Sequence, residues 1–154
     1  MYGPKLTKKK GSDIVDGSIG SADIADTAAQ PPRICKVTLG AESANVITAT
    51  VQVVDGAGSN VSAATVLYCK VVGEAAADYT LSNVGGSGTK IGSYANGPEL
   101  ALNTHTDGSA TFDITDVVGG SATAVMLYVQ VVDTYTSGAL TFNGYANQIA
   151  VTFD

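Results

Sequence analysis

Between residues 125 and 133 the chain reads Val-Met-Leu-Tyr-Val-Gln-Val-Val-Asp. On an extended strand Val125, Leu127, Val129 and Val131 fall on one face, and Met126, Tyr128, Gln130 and Val132 on the other. The first set is wholly apolar and the second mostly so. This predicts a central strand, buried on one face and partly covered on the second. Residues 50–55 echo it as Thr-Val-Gln-Val-Val-Asp, followed by Gly56, so the Val-Gln-Val-Val-Asp ending occurs twice. Two such strands suit the middles of two facing sheets.

The same period of two recurs along the chain. A strand is expected over residues 33–39, then a turn over 40–44. Residues 45–54 put Ile47, Ala49, Val51 and Val53 on one side and Thr48, Thr50 and Gln52 on the other, the alternation of a sheet with one wet face. Asp55 and Gly56 turn the chain. Residues 65–72 are apolar on both faces, with Val66, Tyr68 and Val72 opposed to Leu67, Cys69 and Val71. Shorter strands are expected over residues 79–84, 99–103 and 110–115, the last with Phe112 and Ile114 inward. After the central strand come brief pairing over 140–142, a hairpin signal at Asn143-Gly144, and a closing strand over 148–154 with Ile149, Val151 and Phe153 inward. No window sustains the spacing of three and four that a long helix needs. About seven to nine strands, with turns every eight to twelve residues, predict an all-β fold: an immunoglobulin-like antiparallel β-sandwich over residues 33–154. The Cys, Trp, Cys pattern of antibody domains is absent, since there is no Trp.

Residues 1–32 break this pattern. The first twelve are basic and polar, with Lys5, Lys8, Lys9 and Lys10, and Gly3, Pro4 and Gly11 oppose regular structure, so alone this segment is expected to be disordered. Three five-residue units follow, Asp-Ile-Val-Asp-Gly, Ser-Ile-Gly-Ser-Ala and Asp-Ile-Ala-Asp-Thr, which space Ile14, Ile19 and Ile24 equally. A period of five suits neither a helix nor a flat strand, but it lets small apolar anchors meet a repetitive or grooved partner. Pro31 and Pro32 stiffen the boundary with the sandwich. The expectation is an extended N-terminal arm that orders on a partner, with a low-complexity linker as the bland alternative. Fully extended, 32 residues reach on the order of 100 Å.

Charge sharpens the division. Of the net charge of −6, residues 1–36 hold six bases against four acids, a balance of +2, and the remainder holds two lysines against ten acids, −8. An acidic body argues against nucleic-acid binding, which needs clustered Lys and Arg, whereas the basic tip suits an acidic protein surface. No apolar run resembles a signal peptide or a membrane span, so a soluble protein made in a cytoplasm is expected.

Catalytic constellations are missing. The single histidine, His105, has no nucleophile motif with it, and zinc needs more Cys and His than the chain holds. Residues 85–90, Gly-Gly-Ser-Gly-Thr-Lys, are followed by Ile91 and Gly92 and so fail as a phosphate-binding loop. Asp55, Asp107, Asp116 and Asp133 sit at turns, but without calcium-binding spacing. Neither an enzyme nor a cofactor is expected. Cys35 and Cys69 share strand faces with apolar neighbours, which leaves open buried free thiols or a bridge between them. Among the tyrosines, Tyr68 and Tyr128 are expected to pack between sheets. Tyr94, Tyr135 and Tyr145, in or near loops, are candidates for surface recognition.

Residues 38–47, Thr-Leu-Gly-Ala-Glu-Ser-Ala-Asn-Val-Ile, continuing into 51–58, Val-Gln-Val-Val-Asp-Gly-Ala-Gly, resemble the opening of immunoglobulin-like domains in small structural proteins of tailed bacteriophages. Residues 107–115 and 125–133 fit the same pattern. The five-residue units at 13–27 are similar to segments near the attachment ends of phage fibre and head proteins. The resemblance implies a virion accessory protein, a capsid cement or decoration protein on the outer shell. Its partner would be the major capsid protein, contacted through Lys5, Lys8, Lys9, Lys10, Ile14, Ile19 and Ile24. A homo-oligomer, dimer or trimer, is expected, with no nucleic acid or membrane partner. The alternative is a head- or tail-fibre module that binds host-surface glycans through Tyr94, Tyr135 and Tyr145.

Overall fold

Eight β-strands are laid down in a computed structural model that describes residues 33–84, 97–120, 124–136 and 139–153. They are β1 (Ile34–Leu39), β2 (Val46–Val54), β3 (Val66–Val72), β4 (Tyr79–Asn83), β5 (Glu99–Asn103), β6 (Ser109–Asp116), β7 (Val125–Thr136) and β8 (Ala139–Val151). One 3₁₀ turn, Ala76–Asp78, precedes β4. The expected arm, residues 1–32, and the Gly-rich loop around residues 85–96 lie outside the described residues.

The strands form two four-stranded sheets, β1-β2-β6-β4 and β5-β3-β7-β8, and every pairing is antiparallel. The central stretch β7 lies between β3 and β8, and its echo β2 lies between β1 and β6 in the opposite sheet. Both hold inner positions, as their two-sided or alternating apolar patterns predict. The positions correspond to A-B-E-D and C′-C-F-G of the immunoglobulin sandwich. The chain fills two edges in inverted order, however. After β3 it crosses to place β4 beside β6, and only then returns to place β5 beside β3.

Inward side chains from both sheets make one core. Ile47, Ala49, Val51, Val53, Phe112, Ile114, Tyr79 and Leu81 from the first sheet face Leu67, Val71, Leu100, Leu102, Leu127, Val129 and Val151 from the second. Phe153, just past β8, reaches Tyr79 with ring centroids 5.4 Å apart, which ties the end of the second sheet to the edge of the first. Each fully buried aromatic or branched aliphatic residue contributes about 1.5–3 kcal/mol of transfer free energy, so this core dominates the stability.

Turns are fixed by local chemistry. Ala44 and Asn45 both have positive φ, 52° and 64°, and the Ser43–Val46 bridge closes around them. Asn45 therefore belongs to a tight turn of the primed kind and not to the strand expected from residue 45 onward. Asp55 Oδ1 accepts from the amides of Ala57 and Ser59, both at 2.9 Å. Asp107 Oδ1 accepts from the Ser109 amide at 2.9 Å and its hydroxyl at 2.6 Å. Asp116 Oδ1 accepts from Val118 at 3.1 Å and Gly119 at 3.0 Å. Three carboxylates thus fix turns, Asp55 and Asp116 where β2 and β6 end and Asp107 where β6 begins.

The last strand departs from expectation. Asn143-Gly144 does not turn a hairpin, because β8 runs unbroken through it for 13 residues. Val129 opposes Asn147 and Val131 opposes Asn143, so β8 bulges between those pairs, and a second irregularity sits between Val132 and Thr134 of β7. Gly144, at φ 75°, absorbs the bulge, and its carbonyl accepts from Gln130 Nε2 at 3.1 Å. The distortion brings β8 to the start of β1: Asn143 Oδ1 accepts from the Arg33 amide at 3.4 Å, and Asn147 Nδ2 donates to the Cys35 carbonyl at 2.6 Å. The glycine that signals a turn in the sequence is used here for close approach between the sheets.

Candidate interaction surface

The two sheets present unlike faces to the outside. On the first sheet the outward positions are mainly hydroxyl-bearing: Thr38, Thr48, Thr50, Thr111, Thr115, Thr80 and Ser82, with Thr48 donating to Asp113 at 2.7 Å. Such a face is satisfied by water. On the second sheet the apolar outward positions are Ala101, Val66, Tyr68, Val72, Met126, Tyr128, Val132 and Phe142, with the neutral polar Asn103, Gln130 and Gln148 beside them. Phe142 is 43% exposed and Val72 39%, while the small Ala101 and Val132 are already covered by larger neighbours on the same face. Tyr68 leans on Phe142 with centroids 5.7 Å apart. The charges within the face, Lys70 and Glu99, pair across β3 and β5 at 3.3 Å.

Tyr68 and Tyr128 therefore do not pack between the sheets, contrary to their expected placement. Both are half-buried on the outer face, because Leu67, Cys69, Leu127 and Val129 hold the inward phase and parity leaves the tyrosines outside. The tyrosine that fills the core is Tyr79. Of the three surface tyrosines, Tyr94 lies outside the described residues. Tyr135 and Tyr145 stand on strands β7 and β8, not on loops, and are 38% and 80% exposed. Tyr135 pairs with Leu140 at the Phe142 end of the apolar face, and Tyr145 rides on the β8 bulge. Lys5, Lys8, Lys9, Lys10, Ile14, Ile19 and Ile24 also lie outside the described residues. Phe142, Met126 and Val132 also belong to this face, a placement the sequence pattern does not give. For Met126 and Val132 the signal is the two-sided apolar pattern of residues 125–133, which fits a covered face and an uncovered one equally well; Phe142, in the brief segment 140–142, has no such signal.

The remaining reactive groups serve structure. Cys35 on β1 and Cys69 on β3 are free and buried. Burial pushes the Cys35 thiol up to about 12 and the Cys69 thiol well above its usual range, with Cys35 adding to the second. His105 is exposed in the turn before β6, where its amide donates to the Ser109 carbonyl at 2.8 Å and its carbonyl accepts from Gly108 at 3.0 Å. Asp107 is held below the usual carboxylate range, first by the Ser109 hydroxyl and then by the Ser109 amide. Among the described residues no three His, Cys, Asp or Glu side chains gather as a metal site, and no helix is long and apolar enough to cross a membrane.

These features define a β-sandwich with an apolar, aromatic outer sheet face. No family model and no curated protein matches the chain. Among solved structures it is similar to part of a β-glucuronidase from Parabacteroides merdae, at 15% identity and a TM-score of 0.49, over 80% of this chain and 12% of the enzyme. A β-glycosidase from Bacteroides vulgatus is similar at 15% identity and 0.49, over 82% of this chain and 15% of the enzyme. The GAE domain of GGA2p from Saccharomyces cerevisiae aligns at 15% identity and 0.24, over 81% and 89%. The chain spans 12% and 15% of the length of the two glycosidases, and these likenesses assign it no activity.

Proposed function

We propose that the chain is a non-enzymatic structural protein of a bacteriophage virion, a capsid cement or decoration protein carried on the outer shell. The observation that carries this reading is a division of labour. The described body commits the carboxylates of Asp55, Asp107 and Asp116 to turns and its thiols to the core, while residues 1–32 hold a basic tip and evenly spaced isoleucines. Lys5, Lys8, Lys9 and Lys10 pair with acidic groups of the major capsid protein, and Ile14, Ile19 and Ile24 bury in seams between shell subunits. Ordering such an arm costs entropy, which dense repeated sites and sister copies in a homo-oligomer offset. Deleting residues 1–32 abolishes shell binding and lowers the temperature at which shells dissociate. Unchanged binding and dissociation in the deletion refute the proposal.

The exposure of Tyr135 and Tyr145 favours a second reading, glycan recognition by a fibre module, since exposed aromatic rings stack on sugars. Glycan-array binding that is lost in Tyr145→Ala, with the arm deletion silent, replaces the cement reading by this one.

A further inference from the structure

We infer that the outer face of the β5-β3-β7-β8 sheet is the contact surface of a twofold homodimer, with the same face of a second copy as its occupant. Three observations carry this. The face has the composition of an interface core, with Tyr68, Met126, Tyr128 and Phe142 among small aliphatic residues and its charges set together as one pair. Its size fits a weak dimer. Taking about 200 Å² for a fully exposed aromatic side chain and the fractions open at Phe142, Tyr135, Val72 and the half-buried Val66, Tyr68, Met126 and Tyr128, the apolar part of the face offers at most about 500 Å² per copy, or about 1,000 Å² in a dimer, the range of weak, transient interfaces.

Charge selects a second copy over another partner. The chain carries −6, yet the face is neutral, because Lys70 and Glu99 cancel within it. Approach through either end of the sandwich sets like charges together, Asp55 and Asp107 at one end or Glu42 and Asp78 at the other. The hydroxyl face of the first sheet has little apolar area to bury. Among the described residues the neutral face lets two acidic copies meet without like-charge contact, and its one ion pair leaves little for an acidic or basic partner to pair with there. A twofold axis makes the surface self-complementary, and two such sheets pack face to face about 10 Å apart.

The test is sedimentation of the full chain in solution from about 1 µM to about 100 µM. The expected result is a dimer that weakens by at least ~10-fold in Phe142→Glu and in Val72→Lys, two exposed positions at opposite ends of the face, and is unchanged in Thr50→Glu on the other sheet. Radical footprinting of the unmodified protein gives a second readout that needs no variant: Met126, Tyr128 and Phe142 become protected as the dimer forms. A monomer at every concentration overturns the inference. So does a dimer indifferent to both substitutions, or protection of Met126 that does not change with dilution, which would mark the chain's own arm as the cover. Because no capsid is present, failure here leaves the arm-deletion test of shell binding untouched.

Discussion

Gly144 and Gly120 share the same backbone conformation, φ 75°, but differ in what surrounds them, and this pair isolates the contact that closes the sandwich. An alanine Cβ at Gly120 meets nothing within 4 Å among the described residues, whereas at Gly144 it overlaps the Arg33 carbonyl oxygen and lies 3.2 Å from the Arg33 nitrogen. Forcing a non-glycine residue into the left-handed region costs roughly 1–2 kcal/mol, of which about 0.4–1 kcal/mol is recovered because alanine restricts the unfolded chain. Gly120→Ala should therefore lower stability by about 1.5 kcal/mol or less. Gly144→Ala adds an overpacking cost of about 1–3 kcal/mol, because the obstacle is backbone and yields only if Arg33 withdraws from Asn143. A gap of about 2 kcal/mol is expected between the two variants. Urea unfolding reads it as a lower midpoint at unchanged slope, and hydrogen exchange should show faster opening of Ile34–Leu39 in Gly144→Ala alone. Equal midpoints, within about 0.5 kcal/mol, would refute the view that the β8 bulge clamps β1.

Two titration experiments probe the reactive groups. Asp107 has its folded pKa depressed, so its contribution is present above the usual carboxylate range and is lost as pH falls through the lowered value. Carbon-detected NMR titration should place its midpoint higher in Ser109→Ala than in the wild type, and coincident curves would contradict the assigned cause. For the thiols the sign is opposite: the folded pKa values are raised, so stability is full below the ordinary thiol value near ~8.5 and falls as pH climbs from there toward about 12. Cys35 and Cys69 should resist a thiol reagent at about pH 8 and react fully once urea unfolds the chain. Stoichiometric labelling of the folded protein would show that the core opens.

Much of the sandwich was legible in the chain because side-chain parity is a local property. Ile47, Ala49, Val51 and Val53, or Phe112 and Ile114, point inward in any strand pairing that buries an apolar face, and the Asp-Gly pairs at 55–56 and 107–108 turn the chain by their own hydrogen bonds. Asn143-Gly144 is different. A glycine with positive φ serves a hairpin or a bulge equally well, and only the backbone of Arg33, far away in sequence, required the bulge.

The candidate surface divides in the same way. Sequence alone determined that residues 65–72 and 125–133 carry apolar side chains on both faces, because alternation needs no partner to be read. Tertiary structure decided which of those faces is core. Leu67, Cys69, Leu127 and Val129 meet the first sheet, and the opposite parity places Tyr68, Met126, Tyr128 and Val132, joined by Phe142 from β8, on a face with no third layer over it among the described residues. Whether an apolar face is buried depends on what packs against it, and that is set by contacts between strands remote in the chain.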